Sequence, residues 1–132
     1  MNPKYLELID QSIKAKKFSY SPYSKFSVGA ALLTSKNKIY TGTNIECASY
    51  SLSICAERVA FSKAVSEGEK KFTAIAVSSS NDIYVYPCGA CRQFMNEFGE
   101  GLDVIIVRSK KNFIIKKLSE LFPGPFDKNS LM

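Results

Sequence analysis

Residues 87–98 read Pro-Cys-Gly-Ala-Cys-Arg-Gln-Phe-Met-Asn-Glu-Phe and are followed by Gly99. Proline suits the first position of a helix, where its missing amide hydrogen costs nothing, and glycine suits the residue that ends one. The stretch therefore predicts a short helix over 88–98. It sits between two strand-like runs, the alternating, β-branched segment 72–79 and the aliphatic segment 104–107.

The same reading extends outward. Upstream, Ala56, Val59, Ala60 and Ala64 recur at helical spacing over 55–67, and Gly68 marks the end. Segments 28–34 and 38–43 read as two strands of a hairpin around Ser35-Lys36-Asn37. Asn2-Pro3 opens a first helix that runs to about Ala15, with Leu6, Ile9 and Ile13 as its apolar side. Residues 19–27 form an aromatic loop containing Pro22. Downstream, 113–115 is a strand and 118–122 a helical turn before Pro123. The order α-β-β-α-β-α-β-β implies an α/β domain with helices packed on a mixed sheet.

At 132 residues, 45% hydrophobic and 23% charged, the chain predicts a single domain, 1–132, without disordered tracts. Charges at Lys4, Glu7, Asp10 and Lys14 leave no apolar region for a signal peptide, and the aliphatic runs are too short to cross a bilayer. We expect a soluble, cytoplasmic protein with no membrane partner. The net charge of +6 comes from scattered lysine pairs rather than a basic stripe interleaved with aromatics, so no nucleic-acid partner is expected. The chain contains no histidine. That absence removes Ser-His-Asp triads, Cys-His pairs and His-ligated metal sites.

Hard chemistry is thereby left to carboxylates and four cysteines. Cys88 and Cys91, three apart at a helix start, can present both sulfurs to one point, and a helix N-terminus biases thiols towards the thiolate that binds zinc. Alone, such a pair also fits a redox couple or half of a structural zinc site. Cys55-Ala56-Glu57-Arg58 opens another predicted helix. Three thiolates would leave the fourth tetrahedral position to water, with Glu57 as its general base. If Cys47 were a fourth ligand the site would be closed and structural. Its separation from Cys55 is too wide for a knuckle, and Cys47 is read as a small buried apolar residue.

These residues resemble the small homotetrameric nucleoside cytidine deaminases, in their three-cysteine branch. Zinc deaminases in general carry a ligand-x-Glu block followed by Pro-Cys-x-x-Cys. The resemblance extends over SPYSKFSVGAALL (21–33), TGTNIECASYSLSICAERVAFSKAVSEG (41–68), PCGACRQFMNEF (87–98) and LSELFPGPF (118–126). It implies a three-layer α/β/α fold with a five-stranded mixed sheet. It also implies one zinc per subunit on Cys55, Cys88 and Cys91, and Glu57 as the proton shuttle in hydrolytic deamination of cytidine and 2′-deoxycytidine.

By resemblance, Asn44 and Glu46 bind the ribose hydroxyls, Phe26 and Ala56 contact the pyrimidine, and Tyr50 and Phe126 reach a neighbouring subunit's site in a homotetramer. Arg58 hydrogen-bonds the sulfurs and offsets their excess negative charge. Cys47 departs from the pattern, standing where many relatives have asparagine. Two alternatives remain: a small zinc deaminase of another aminonucleoside such as blasticidin S, and a structural zinc module that binds nucleic acid.

Overall fold

The computed structural model describes residues 1–99 and 101–131. Helix α1 spans Lys4–Ala15; strands β1 (Val28–Thr34) and β2 (Ile39–Thr43) follow, then α2 (Ala56–Ser66), β3 (Phe72–Ser79), α3 (Gly89–Asn96), β4 (Asp103–Ser109), β5 (Asn112–Lys117) and the single turn α4 (Leu118–Leu121). The side-chain oxygen of Asn2 accepts the Lys4 amide at 2.9 Å, so Asn2 caps the first turn as its position suggested. The buried face of α1 is Tyr5, Leu8, Ile9, Ser12 and Ala15. Leu6, expected inside, is exposed. The face is rotated because Tyr5 is drawn in, its hydroxyl donating to Asp103 at 2.6 Å. Three 3-10 turns, Lys16–Phe18, Tyr50–Leu52 and Lys128–Ser130, were not anticipated.

The strands form one sheet in the order β2-β1-β3-β4-β5. Pairing is antiparallel throughout except between β3 and β4, which run parallel because α3 carries the chain back across the sheet. Alternation along the strands separates two cores. Ala31, Leu33, Ala74, Ala76, Ile105 and Val107 pack against Tyr5, Leu8 and Ile9 of α1. Ala30, Leu32, Ile75, Val77, Val104 and Ile106 pack on the other face, against Ala60, Phe61 and Ala64 of α2 and Cys91 and Met95 of α3. The result is the expected three-layer α/β/α arrangement.

The helix over 88–98 stops at Asn96, two residues short of the expectation. Phe98 leaves the helical path to stack on Phe61, with ring centroids 5.5 Å apart, and meets Phe72 edge-on at 5.9 Å. Aromatic packing outweighs another turn of helix here. Two glycines set how closely helices approach the sheet. A Cβ on Gly29 would lie 2.1 Å from the Ser12 carbonyl oxygen of α1, and one on Gly42 would lie 2.4 Å from the Ala56 carbonyl oxygen of α2. Gly42 thus seats the first turn of α2, and with it the residues on either side of Ala56.

Candidate metal centre

Cys55 and Cys88 are the residues immediately preceding α2 and α3, both with extended backbone, and Cys91 lies in the first turn of α3. Two helix N-termini therefore aim at one point, and their dipoles favour thiolates there. The three Sγ atoms all lie within 4.8 Å of one another. The Cys55 and Cys88 sulfurs are 3.8 Å apart, the separation of about 3.8 Å that two sulfurs take on a tetrahedral zinc at about 2.3 Å. The donor set fits zinc. Cys47 lies outside this group among the described residues, half-buried rather than buried, with its amide donating to Ser53 Oγ at 3.0 Å.

Hydrogen bonds from Cys91, Arg58 and Cys88 hold the Cys55 thiol at about 5, despite its partial burial. Cys91 is pushed far up, first by donating to Cys55 and then by burial. Of these two thiols, Cys55 is the one biased towards the thiolate. Arg58 Nη2 donates to the Cys55 sulfur at 3.5 Å, the contact expected of it, while its Nε is buried without a partner. Glu57 is buried, and burial pushes its carboxyl up to about 7. A carboxyl poised near neutrality can both take and return a proton at physiological pH.

A cavity of about 190 Å³ opens beside the thiols, bordered by Phe26, Asn44, Cys55, Ala56, Glu57 and Cys88. Four predicted positions, Phe26, Asn44, Ala56 and Glu57, and two of the three cysteines thus meet at one space. Val85 and Tyr86 also border it. They were missed because residues 80–86 form a loop without periodicity.

Asn44 borders the cavity with its side chain engaged. Its Oδ1 accepts from Ser19 Oγ at 2.5 Å and the Val28 amide at 2.9 Å, and its Nδ2 donates to the Phe26 carbonyl at 2.8 Å. Glu46 is not brought to that cavity. It borders a separate depression with Tyr23, Ser24, Tyr50 and Ser53. Its carboxylate accepts from the amides of Tyr23 (3.0 Å) and Ser24 (3.1 Å) and from the Ser24 hydroxyl.

Both side chains therefore hold the loop that carries Phe26. The sequence signal was present in the Ser-rich run 19–27, which has the hydroxyls and free amides such anchors need. Tyr50 lies edge-on to Tyr23 with centroids 6.0 Å apart and is 75% exposed. Phe126 is 60% exposed, its carbonyl accepting from Gln93 Nε2 at 2.7 Å. Neither reaches the cavity of its own chain.

The family model of the cytidine and deoxycytidylate deaminase zinc-binding region matches residues 3–108. A cytidine deaminase from Sporosarcina psychrophila is 47% identical over 126 residues, which cover 95% of this chain and 93% of that protein. One from Halalkalibacterium halodurans is 45% identical over 120 residues, covering 90% and 91%. The crystal structure of cytidine deaminase from Burkholderia pseudomallei matches with a TM-score of 0.87 at 40% identity, covering 91% of this chain and 97% of that one.

Proposed function

The chain belongs to the cytidine and deoxycytidylate deaminase family, and from that membership we propose how its residues carry the reaction. It is a zinc-dependent hydrolase that converts cytidine and 2′-deoxycytidine to uridine and 2′-deoxyuridine with release of ammonia. The observation that carries the reading is the buried Glu57 beside three thiols spaced for one metal, two of which, Cys55 and Cys88, border the same cavity as Glu57.

Cys55, Cys88 and Cys91 hold the ion. When bound, zinc supplies Lewis-acid activation of a water molecule near neutral pH. Glu57 takes that water's proton at its carboxylate and delivers it to N3 of the pyrimidine, while the water oxygen bonds to C4. The same carboxyl then carries a proton to the departing amine. Ammonia leaves as the C4 carbonyl forms, so every proton taken is returned. Phe26 walls the base, Ala56 borders it, and Asn44 offers its amide to the sugar.

Glu46 shapes the sugar end through the 21–26 loop, exchanging its Ser24 contacts for a ribose hydroxyl when substrate enters. Three thiolates overcompensate a divalent ion, and Arg58 withdraws charge from Cys55 to keep the metal an effective acid.

The chain acts as one domain and as a homotetramer in which Tyr50 and Phe126 complete a neighbour's site. Large apolar side chains left outside, Phe18, Tyr20, Tyr50, Leu52 and Phe126, support that assembly. No helix among the described residues is long and apolar enough to cross a membrane. The reading sets the chain in the cytoplasm, a reducing compartment that keeps ligand thiols available.

The test is the ultraviolet change on mixing zinc-loaded protein with cytidine, beside a Glu57→Gln variant. Conversion to uridine that vanishes in the variant supports the assignment; a metal-replete wild type that leaves cytidine unchanged refutes it.

A further inference from the structure

Arg92 stands one residue beyond Cys91 on α3, and its side chain reaches two segments at once. Its Nε donates to the Pro87 carbonyl at 2.8 Å, and its Nη1 donates to the Leu121 carbonyl at 2.7 Å. Pro87 immediately precedes the ligand Cys88. Leu121 is the last residue of α4, whose terminal carbonyls have no partner within the helix. The next residue on α3, Gln93, donates to the Phe126 carbonyl at 2.7 Å. Adjacent side chains of the metal-binding helix thus hold both ends of 121–126.

That segment needs outside support. Pro123 and Pro125 lack amide hydrogens, and Gly124 takes a left-handed backbone with φ of 61°. The run cannot tie itself into a strand or helix. A guanidinium presents its donors in a fixed planar fork, so it can hold two carbonyls arriving from different directions. A lysine ammonium is a point charge on a flexible stem and does not impose that geometry.

The geometry points to Arg92 as a positioning residue that couples the Cys88 ligand to the segment presenting Phe126. Metal binding and presentation of the C-terminal aromatic are then linked: loosening the peptide before Cys88 frees 121–126, and freeing 121–126 loosens Cys88. The proposal rests on the reading of Cys88 as a zinc ligand.

Zinc release to a chelator and hydrogen exchange of 118–131 in the whole chain test it. Arg92→Lys speeds zinc release about tenfold or more, as loss of a group supporting a metal ligand does, and speeds exchange over 118–131. Gln93→Leu speeds exchange there and raises the KM for cytidine with kcat held, and it speeds zinc release less than Arg92→Lys does, because Arg92 still holds the Pro87 and Leu121 carbonyls. Zinc release from Arg92→Lys at the wild-type rate overturns the proposal, and so does faster release with exchange unchanged. If Arg92→Lys does not fold, the wild type stripped of zinc decides: exchange at 118–131 rises while that of 72–79 does not, and unchanged exchange at 118–131 overturns the coupling. A wild type that binds no zinc sinks the metal reading instead, and the exchange arm alone then judges the tie to Leu121.

Discussion

At the scale of single residues, the metal-free centre sets two titrations against each other. Glu57, raised to about 7 by burial, is easiest to accommodate as the neutral acid. Its folded pKa lies above its ordinary value of 4.5, so its contribution to stability is complete below pH 4.5 and is lost as pH rises through 7. Cys55, lowered to about 5 by Cys91 and its neighbours, works in the opposite sense: it stabilises at high pH and loses that effect as pH falls through 5. Glutamine at position 57 cannot ionise. Urea unfolding of the zinc-free proteins should therefore show Glu57→Gln gaining about 3 kcal/mol on wild type between pH 5 and pH 8. Cys55 titrates in both proteins and its charge acts on Glu57, so the difference reports Glu57 together with its coupling to the thiols. In the zinc-loaded protein the same variant keeps its metal and loses at least about 10³-fold in kcat, the scale of a lost general acid–base group. Metal analysis beside steady-state kinetics checks both halves.

At the scale of elements, glycines decide how the helices sit. Gly42→Ala drives a methyl group into the Ala56 backbone carbonyl of α2, which cannot swing aside as a side chain would. We expect a cost of about 1–3 kcal/mol in stability, together with weaker zinc binding, because the displaced turn carries Cys55 and Glu57. Gly29→Ala meets the Ser12 carbonyl of α1 on the opposite face; it should lower the melting temperature as much while leaving zinc affinity near wild type. Thermal melts and chelator titrations of the pair separate the two faces. Most elements were legible because punctuation residues bound them: Asn2-Pro3, Gly68 and Pro87 lie where helices begin or end. The inward face of α1 was misread at Leu6, since periodicity alone does not weigh the anchor between Tyr5 and Asp103. The end of α3 was set by a four-phenylalanine cluster drawn from segments far apart in sequence, which no local pattern reports.

At the scale of the molecule, the metal group was legible because absent histidine left cysteines as its ligands and two helix starts converge on them. The sugar end was less so. Spacing shows that Asn44 and Glu46 share a side of an extended segment, but not that both are taken up by the 19–28 loop. In the proposed assembly, Phe126→Ala should raise the KM for cytidine about tenfold, the scale of one lost aromatic contact to a base, with little effect on zinc content. Sedimentation of the wild type should give a tetramer, and a monomer with full activity would remove the shared site.

In the proposed centre, three cysteines hold zinc and leave one position open to water. X-ray absorption at the zinc edge tests it most directly. The account predicts three sulfurs at about 2.3 Å and one oxygen at about 2.0 Å, the oxygen being displaced by a tightly bound nucleoside analogue. Four sulfurs, with Cys47→Ser losing one of them, would contradict it.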